Sequence, residues 1–170
     1  MQIDLRPYQA HISYPELRHV KPDKVLAQTL LQGYSGERSE LTTVLQYAYH
    51  SLRCEERIKE VSKTLRGIFY VETLHMEFLG NCVRRLGGNV EYVLTLGEKR
   101  IGWQSDMINY MRTPAQMLVE DIKGEKYAAA FYEDVSASTR QSDIAALLAQ
   151  LAEDERLHIR ILSKLYDRYF

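Results

Sequence analysis

The chain has 170 residues, a formal net charge of −1 at pH 7, and 22 Lys and Arg scattered among 23 Asp and Glu. That length suits one domain with a sizeable core, and the balanced charge excludes the basic face that binding to nucleic acid or to an anionic membrane requires. Since no apolar run reaches the length of a membrane span and the first residues lack the apolar core of a signal peptide, we expect a cytoplasmic protein.

Apolar residues at helical spacing divide the chain into a leader and one domain. The leader, over 1–21, has no helical pattern, and the domain covers 22–170. Four helices are predicted within the domain, at about 22–53, 56–86, 114–135 and 142–169. Pro22 starts the first helix, and Gly33 and Gly36 lie inside it at positions that weaken its middle.

A long connection joins the second and third predicted helices. Gly87-Gly88-Asn89 is a strong signal for the end of the second helix, and Pro114 suits the first turn of the third. Between them the sequence has no helical period, and Tyr92-Val-Leu-Thr-Leu96 indicates an extended piece. We therefore predict an all-α four-helix bundle, made of two antiparallel helix pairs joined by a long crossover.

Two Glu-x-x-His pairs interrupt the apolar stripes of the second and fourth helices. Glu72 and His75 occupy the middle of one stripe, and Glu155 and His158 the middle of the other, where a bundle would normally place leucine. Each pair should thus point its carboxylate and imidazole into the interior, about one helical turn apart. Because an unpaired buried carboxylate is costly, we expect a divalent cation to compensate for it.

The same spacing also occurs once outside any stripe. Glu16-Leu-Arg-His19 lies between Pro15 and Pro22 in the polar leader, and no apolar residues flank it at helical intervals. We interpret it as a surface pair, so the register of a pair within a stripe carries more weight than its spacing.

The first and third helices should each supply one more carboxylate. On the third helix the stripe contains Glu125 and leaves Glu120 outside. On the first helix both Glu40 and Glu37 lie on the stripe, but the polar neighbours of Glu37 indicate a solvated stretch. We therefore choose Glu40 and Glu125.

The predicted metal ligands, which would also carry any catalysis, come from all four helices: Glu40, Glu72, His75, Glu125, Glu155 and His158. Four carboxylates and two neutral imidazoles have a formal charge of −4, which two divalent ions would cancel. Oxygen donors with one nitrogen per metal suit iron or manganese, and the absence of thiolate argues against zinc or copper. We expect Glu72 and Glu155 to bridge the ions.

Three further residues are candidates for outer partners of these ligands. Tyr47 follows Glu40, and Tyr132 follows Glu125, by the same interval, so the two halves of the chain repeat. Their hydroxyls could bind the carboxylates, with plain core packing an equal alternative. His50 lies one turn beyond Tyr47, and its position near a helix end favours a partly exposed histidine over an outer partner.

These segments resemble the dinuclear metal-carboxylate branch of the ferritin-like superfamily, which contains bacterioferritins, rubrerythrins and manganese catalases. The resemblance covers about residues 22–168. Ser39-Glu-Leu-Thr-Thr-Val-Leu-Gln-Tyr-Ala-Tyr-His50 resembles the first-helix segment of bacterioferritin, and Glu72-Thr-Leu-His-Met-Glu-Phe-Leu-Gly80 its second. Lys123-Gly-Glu-Lys-Tyr-Ala128 resembles the third-helix segment of rubrerythrin.

The resemblance implies a ferritin-like bundle with two iron or manganese ions per chain. It implies an oxidoreductase that acts on hydrogen peroxide or dioxygen, with an external electron donor as one option, and a homo-oligomer. Iron oxidation and storage in a ferritin-like assembly is the alternative, and a structural bundle with vestigial ligands is a third.

Two departures from the family pattern narrow these expectations. Ala128 replaces a carboxylate that rubrerythrins carry, and two cysteines cannot build a rubredoxin module, which disfavours a rubrerythrin-type peroxidase with its own electron relay. Met76 and Met117 are weak candidates for a haem ligand, so no haem is predicted.

Overall fold

The computed structural model describes residues 4–170, which form five helices and one β-hairpin. The helices are α1 (Lys24–Ser35), α2 (Glu40–Cys54), α3 (Lys59–Arg85), α4 (Pro114–Ser138) and α5 (Ser142–Tyr169). α2 packs mainly against α3, and α4 mainly against α5, while the chain between α3 and α4 connects the two pairs. The prediction of a four-helix bundle of two antiparallel pairs with a long crossover is confirmed.

The predicted single helix over 22–53 is wrong in its middle. α1 ends at Ser35, where the backbone N–H of Gly36 donates to the carbonyl oxygen of Gln32 at 2.9 Å. A Cβ at Gly36 would lie 2.5 Å from that oxygen, so this close approach needs glycine. Two separate helices, α1 and α2, replace the predicted one.

The start of α2 positions a predicted ligand. The hydroxyl of Ser39 accepts a hydrogen bond from the backbone N–H of Thr42 and caps the helix, so that Glu40 is its first residue. Glu40 is buried, whereas Glu37, in the break between α1 and α2, is exposed. The interruption therefore separates the two candidate carboxylates of the predicted first helix.

Both ends of α3 and the end of α4 differ from prediction by one to three residues, whereas the start of α4 and both ends of α5 are as predicted. α3 begins at Lys59 and ends where Gly87 takes a φ of +83°, which lets the N–H of Gly88 return to the carbonyl oxygen of Val83 at 2.9 Å. α4 continues to Ser138 instead of ending at 135. The extended piece of the crossover is the first strand of an antiparallel hairpin, β1 (Val93–Leu96) and β2 (Lys99–Gly102).

The interior contains two apolar clusters with a polar layer between them. One cluster includes Leu79 of α3 and Leu151 of α5, and the other includes Ile68 of α3 and Leu162 of α5. Along both helices the Glu-x-x-His pair lies between the leucine or isoleucine residues of the two clusters. The polar pairs thus occupy the middle of the bundle.

The leader packs across the bundle with little regular structure beyond one 3-10 turn at Arg6–Tyr8. The first three residues of the predicted leader lie outside the described residues. Within 4–170, no helix combines the length and the apolar character that crossing a bilayer requires.

Candidate metal centre

All six predicted ligands meet in the polar layer of the bundle. The most accessible of them is only 3% exposed, and the six are Glu40, Glu72, His75, Glu125, Glu155 and His158. The rejected candidates lie elsewhere: the side chain of Glu120 is 27% exposed and pairs with Lys123, and those of Glu16 and His19 are 71% and 81% exposed. The register of the stripes thus distinguishes Glu125 from Glu120 and the two motif pairs from Glu16 and His19.

Two groups of ligand atoms are close enough to hold one ion each. Glu40 and His75 form the first group with Glu72 and Glu155, and within it the ligand atoms lie within 4.8 Å of one another. Glu125 and His158 form the second group with the same two glutamates, within the same limit. The two groups share Glu72 and Glu155, so these carboxylates lie where bridging ligands would.

The imidazoles face this centre through Nδ1. Nδ1 of His75 lies 3.0 Å from Oε1 of Glu155, and Nδ1 of His158 lies 2.8 Å from Oε1 of Glu72. Nε2 of each ring points the other way, where Asp154 accepts from His75 at 3.0 Å and the carbonyl oxygen of Tyr8 accepts from His158 at 2.9 Å. An Nε2–H that is held in this way leaves Nδ1 as the atom available to a metal.

Both predicted tyrosines donate to carboxylates across the bundle. The hydroxyl of Tyr47 on α2 donates to Glu125 on α4, and that of Tyr132 on α4 donates to Glu40 on α2. Burial raises the pKa of Tyr47 well above its ordinary value, and the charge of Glu125 adds to the shift. Tyr47 therefore remains a neutral hydrogen-bond donor.

The hydrogen bonds of His50 found within residues 4–170 go to residues other than the six predicted ligands. Its side chain is fully buried, against the expectation of partial exposure, and Nδ1 lies 2.8 Å from Oδ1 of Asp121 while Nε2 donates to the carbonyl oxygen of Asn109 at 2.8 Å. The crossover covers this end of α2 and supplies that carbonyl group, which the position of His50 in the sequence does not reveal. The prediction of a partly exposed histidine is wrong, and these contacts give no support to His50 as an outer partner of the ligands.

Burial and neighbouring charges divide the four carboxyl groups into two classes. Burial raises the pKa of Glu40 and that of Glu125 well above the ordinary range, and the charges of Glu72 and Glu155 add to both shifts. Burial also opposes ionisation of Glu72 and Glu155, but the adjacent imidazoles outweigh it, and the pKa of each is lowered. The shared glutamates are therefore the ionised ones.

The imidazoles complete the charge balance. Burial disfavours their cationic forms, yet the facing carboxylates raise the pKa values of His75 and His158 well above the ordinary range. In the absence of metal, two carboxylates thus face two imidazolium ions, with Glu40 and Glu125 neutral. Two divalent ions would replace the four protons held by this cluster with the same total charge.

The donor set fits two hard divalent ions. Oxygen outnumbers nitrogen and no sulfur is present, as iron and manganese prefer. Oε1 of Glu72 is buried and, among residues 4–170, has no hydrogen-bond partner, since Nδ1 of His158 lies 2.8 Å away but is not aligned for a hydrogen bond. A buried carboxylate oxygen left in this way is available to a cation.

Two contacts of the site were not predicted from the sequence. Asp154, which directly precedes Glu155, is buried and binds His75, and an acidic residue beside the motif was the signal that could have identified it. The contact between His158 and Tyr8 uses a backbone carbonyl group, for which residue identity gives no signal.

A cavity of about 400 Å³ leads to one side of the centre. It runs between α2 and α4 from the exposed residues Arg38 and Lys123 to the buried side chains of Glu40 and Tyr132. Since Glu125 and His158 do not line it, a small molecule in the cavity would approach the half of the centre that contains Glu40.

Comparison with solved structures finds the ferritin-like fold in several proteins. A manganese catalase from Anabaena is similar with a TM-score of 0.80 at 21% identity, over 93% of this chain and 79% of that chain. A Rhodobacter capsulatus bacterioferritin with a metal-free dinuclear site has a TM-score of 0.68 at 22% identity, over 88% of each chain. A Mycobacterium tuberculosis bacterioferritin has a TM-score of 0.71 at 21% identity, over 88% of this chain and 90% of that chain. Identities this low establish the fold alone.

Sequence comparison identifies the family. No curated protein matches the chain significantly. The rubrerythrin family model, in contrast, matches residues 30–166, a span that includes all six buried acidic and histidine residues of the centre. The expected ferritin-like, dinuclear metal-carboxylate relationship is confirmed, and the chain belongs to the rubrerythrin family.

Proposed function

We propose that this protein is a dinuclear iron or manganese oxidoreductase that acts on hydrogen peroxide or dioxygen. The observation that carries the proposal is the pair of ligand groups that share Glu72 and Glu155. One ion would bind Glu40 and His75, the other Glu125 and His158, and the two shared glutamates would bridge them. When bound, the two ions would supply the electron transfer and the oxygen binding that this chemistry needs.

The side chains around the centre have separable roles in this proposal. The cavity between α2 and α4, of about 400 Å³, is large enough to admit peroxide to the side of Glu40. The hydroxyl of Tyr132 holds Glu40 in place through a hydrogen bond, and Tyr132 also lines the cavity. The apolar clusters on either side limit the entry of bulk water.

A catalase-type reaction has support from the extent of the structural similarity. The Anabaena manganese catalase aligns with 93% of this chain, compared with 88% for the two bacterioferritins. Hydrogen peroxide is therefore our first choice of substrate.

The test is metal analysis followed by assay. The protein is purified without chelator, its iron and manganese are measured by mass spectrometry, and oxygen evolution is recorded after peroxide is added. About two ions per chain are expected, with oxygen evolution from the manganese form. The variant Glu72→Gln should lose both properties and Glu37→Gln, an exposed carboxylate, should retain both. Less than one ion per chain in the unmodified protein would refute the proposal and leave a structural bundle with vestigial ligands.

Iron oxidation and storage is the second candidate, and the similarity to two bacterioferritins supports it. In that case the same centre would oxidise incoming iron(II), and the assembly would retain it. Size-exclusion chromatography after iron loading separates the candidates, since storage requires a very large oligomer that carries many iron atoms per chain. A small oligomer with two ions per chain would favour the enzyme.

A further inference from the structure

The two halves of the centre treat their imidazoles differently. On α5 the residue before Glu155 is Asp154, whose carboxylate accepts from Nε2 of His75 at 3.0 Å. The equivalent residue on α3, before Glu72, is Val71, which is buried and has no polar side-chain atom. The repeat therefore supplies an acidic partner for one histidine and none for the other.

The leader supplies the missing partner. The carbonyl oxygen of Tyr8 accepts from Nε2 of His158 at 2.9 Å. Two further groups of the leader hold Asp154, since the N–H of Ala10 donates to Oδ1 at 2.5 Å and the hydroxyl of Tyr14 donates to Oδ2. Residues 8–14, which we call the strap, thus reach the outer side of both imidazoles, one directly and one through Asp154.

The bundle is shaped to receive the strap. The ring of Tyr8 lies against Gly67 of α3, where an added Cβ would be 2.2 Å from Cε2 of the ring. Gly67 is in a helix interior, where glycine is less favourable than alanine. The absence of a side chain at Gly67 therefore makes room for the ring of Tyr8. In this position, the carbonyl oxygen of Tyr8 lies next to His158.

We propose that the strap is a positioning element of the metal centre, and that its docking and metal binding stabilise each other. A donor hydrogen bond from Nε2 fixes the tautomer and the orientation of each ring, so that Nδ1 presents its lone pair to the ion. Coupling between two binding events is reciprocal, so metal in the centre should also hold the strap in place. The inference rests on the metal site of the proposed function but does not depend on which reaction the site performs.

Two variants test the strap without changing a metal ligand. Gly67→Ala displaces the ring of Tyr8 and with it the carbonyl group on His158, and Tyr14→Phe removes one hydrogen bond to Asp154. Gly80→Ala is the matched control, because it makes the same change on the same helix and meets only the ring of Tyr34, at 3.1 Å. Circular dichroism verifies that all three proteins are folded.

The first readout is metal release into an excess of chelator. Loss of an outer hydrogen bond to a metal-binding histidine typically lowers metal affinity by about 10-fold or more, so Gly67→Ala should release at least one of the two ions about 10-fold faster than wild type. Tyr14→Phe should show a smaller increase, and Gly80→Ala should behave as wild type.

The second readout is hydrogen exchange of the strap, measured by mass spectrometry on peptides covering residues 8–14. The amide of Ala10, which donates to Asp154, should exchange more slowly in the metal-loaded than in the metal-free protein. If the wild type binds two ions, but metal release and hydrogen exchange are unchanged in both variants, the positioning role of the strap is refuted. The proposed function is not affected by that result. A wild type that holds no metal would refute the metal centre itself, and the strap's role with it.

Discussion

Tyr132 and Glu40, 92 residues apart in the sequence, are joined by a hydrogen bond that crosses from one helix pair to the other. Tyr47 makes the equivalent bond to Glu125 in the opposite direction. Each helix pair thus donates a hydrogen bond to one predicted ligand of the other pair. That ligand is the glutamate that lies outside the Glu-x-x-His motif. The two halves of the repeat are therefore joined by a reciprocal pair of hydrogen bonds.

Removal of these hydroxyls should weaken both the fold and the site. Tyr132→Phe leaves a buried carboxyl group without its donor, so we expect a loss of about 1 to 3 kcal/mol in the free energy of unfolding and a metal affinity about 10-fold lower. Urea unfolding of the metal-free protein and metal titration measure the two effects. Tyr127→Phe, at a tyrosine that is 42% exposed, is the control, and an equal loss in that variant would contradict the assignment.

Replacement of a whole Glu-x-x-His pair should abolish metal binding and keep the fold. In the double variant Glu72→Leu with His75→Phe, apolar packing replaces part of a buried charged cluster, a change that is often neutral or stabilising. We expect helicity by circular dichroism to be preserved with no bound metal. Glu16→Leu with His19→Phe alters the exposed pair of equal spacing and should bind metal normally. A double variant at 72 and 75 that is unfolded would show that the pair is required for folding.

Metal binding should become stronger as the pH rises. The pKa values of Glu40, Glu125, His75 and His158 are all raised, so each group stabilises the metal-free fold below its ordinary pKa and loses that contribution as the pH rises through the raised value. The metal-bound fold requires all four groups to be deprotonated, so its stability increases as the pH rises.

The increase in Tm on addition of manganese should therefore be larger at about pH 8 than at about pH 6. Calorimetry in buffers of different ionisation enthalpy should detect up to about four protons released for two ions. An increase in Tm that does not change with pH would contradict the protonation states described here.

The His50 and Asp121 pair should affect stability without affecting metal. Burial disfavours the charged imidazole, but the hydrogen bond and the charge of Asp121 outweigh it and raise the pKa of His50. Among the described residues, His50→Leu leaves buried Asp121 with the amide of Gln46 as its remaining side-chain partner, and the free energy of unfolding should fall by about 3 to 5 kcal/mol. Metal analysis of the folded variant should still find two ions per chain, and loss of metal would place this histidine in the centre after all.

The sequence predicted the helices and the buried candidates because both follow from one period. Glu72, His75, Glu155 and His158 are recognisable since leucine-rich stripes continue on both sides of each pair. The break between α1 and α2 was not predicted, because the contact of Gly36 with Gln32 is a feature of backbone geometry.

The outer contacts were harder to predict for a different reason. Asp154 lies off the stripe, and whether such a residue faces a neighbouring histidine depends on how the helices are rotated against each other. The partner of His158 is a peptide carbonyl group, which every residue possesses, so only the path of the leader reveals it. Similarly, the burial of His50 follows from the route of the crossover over α2.

The polar layer between the two apolar clusters has a consequence for the way the bundle unfolds. Each cluster is a half-core, and the side chains of Ile68 and Leu79 on the same helix belong to different halves. The interactions that link the two half-cores across the polar layer therefore contribute to the cooperativity of unfolding. Ions bound by all four helices would add links between the two ends of the bundle and so make its unfolding more cooperative.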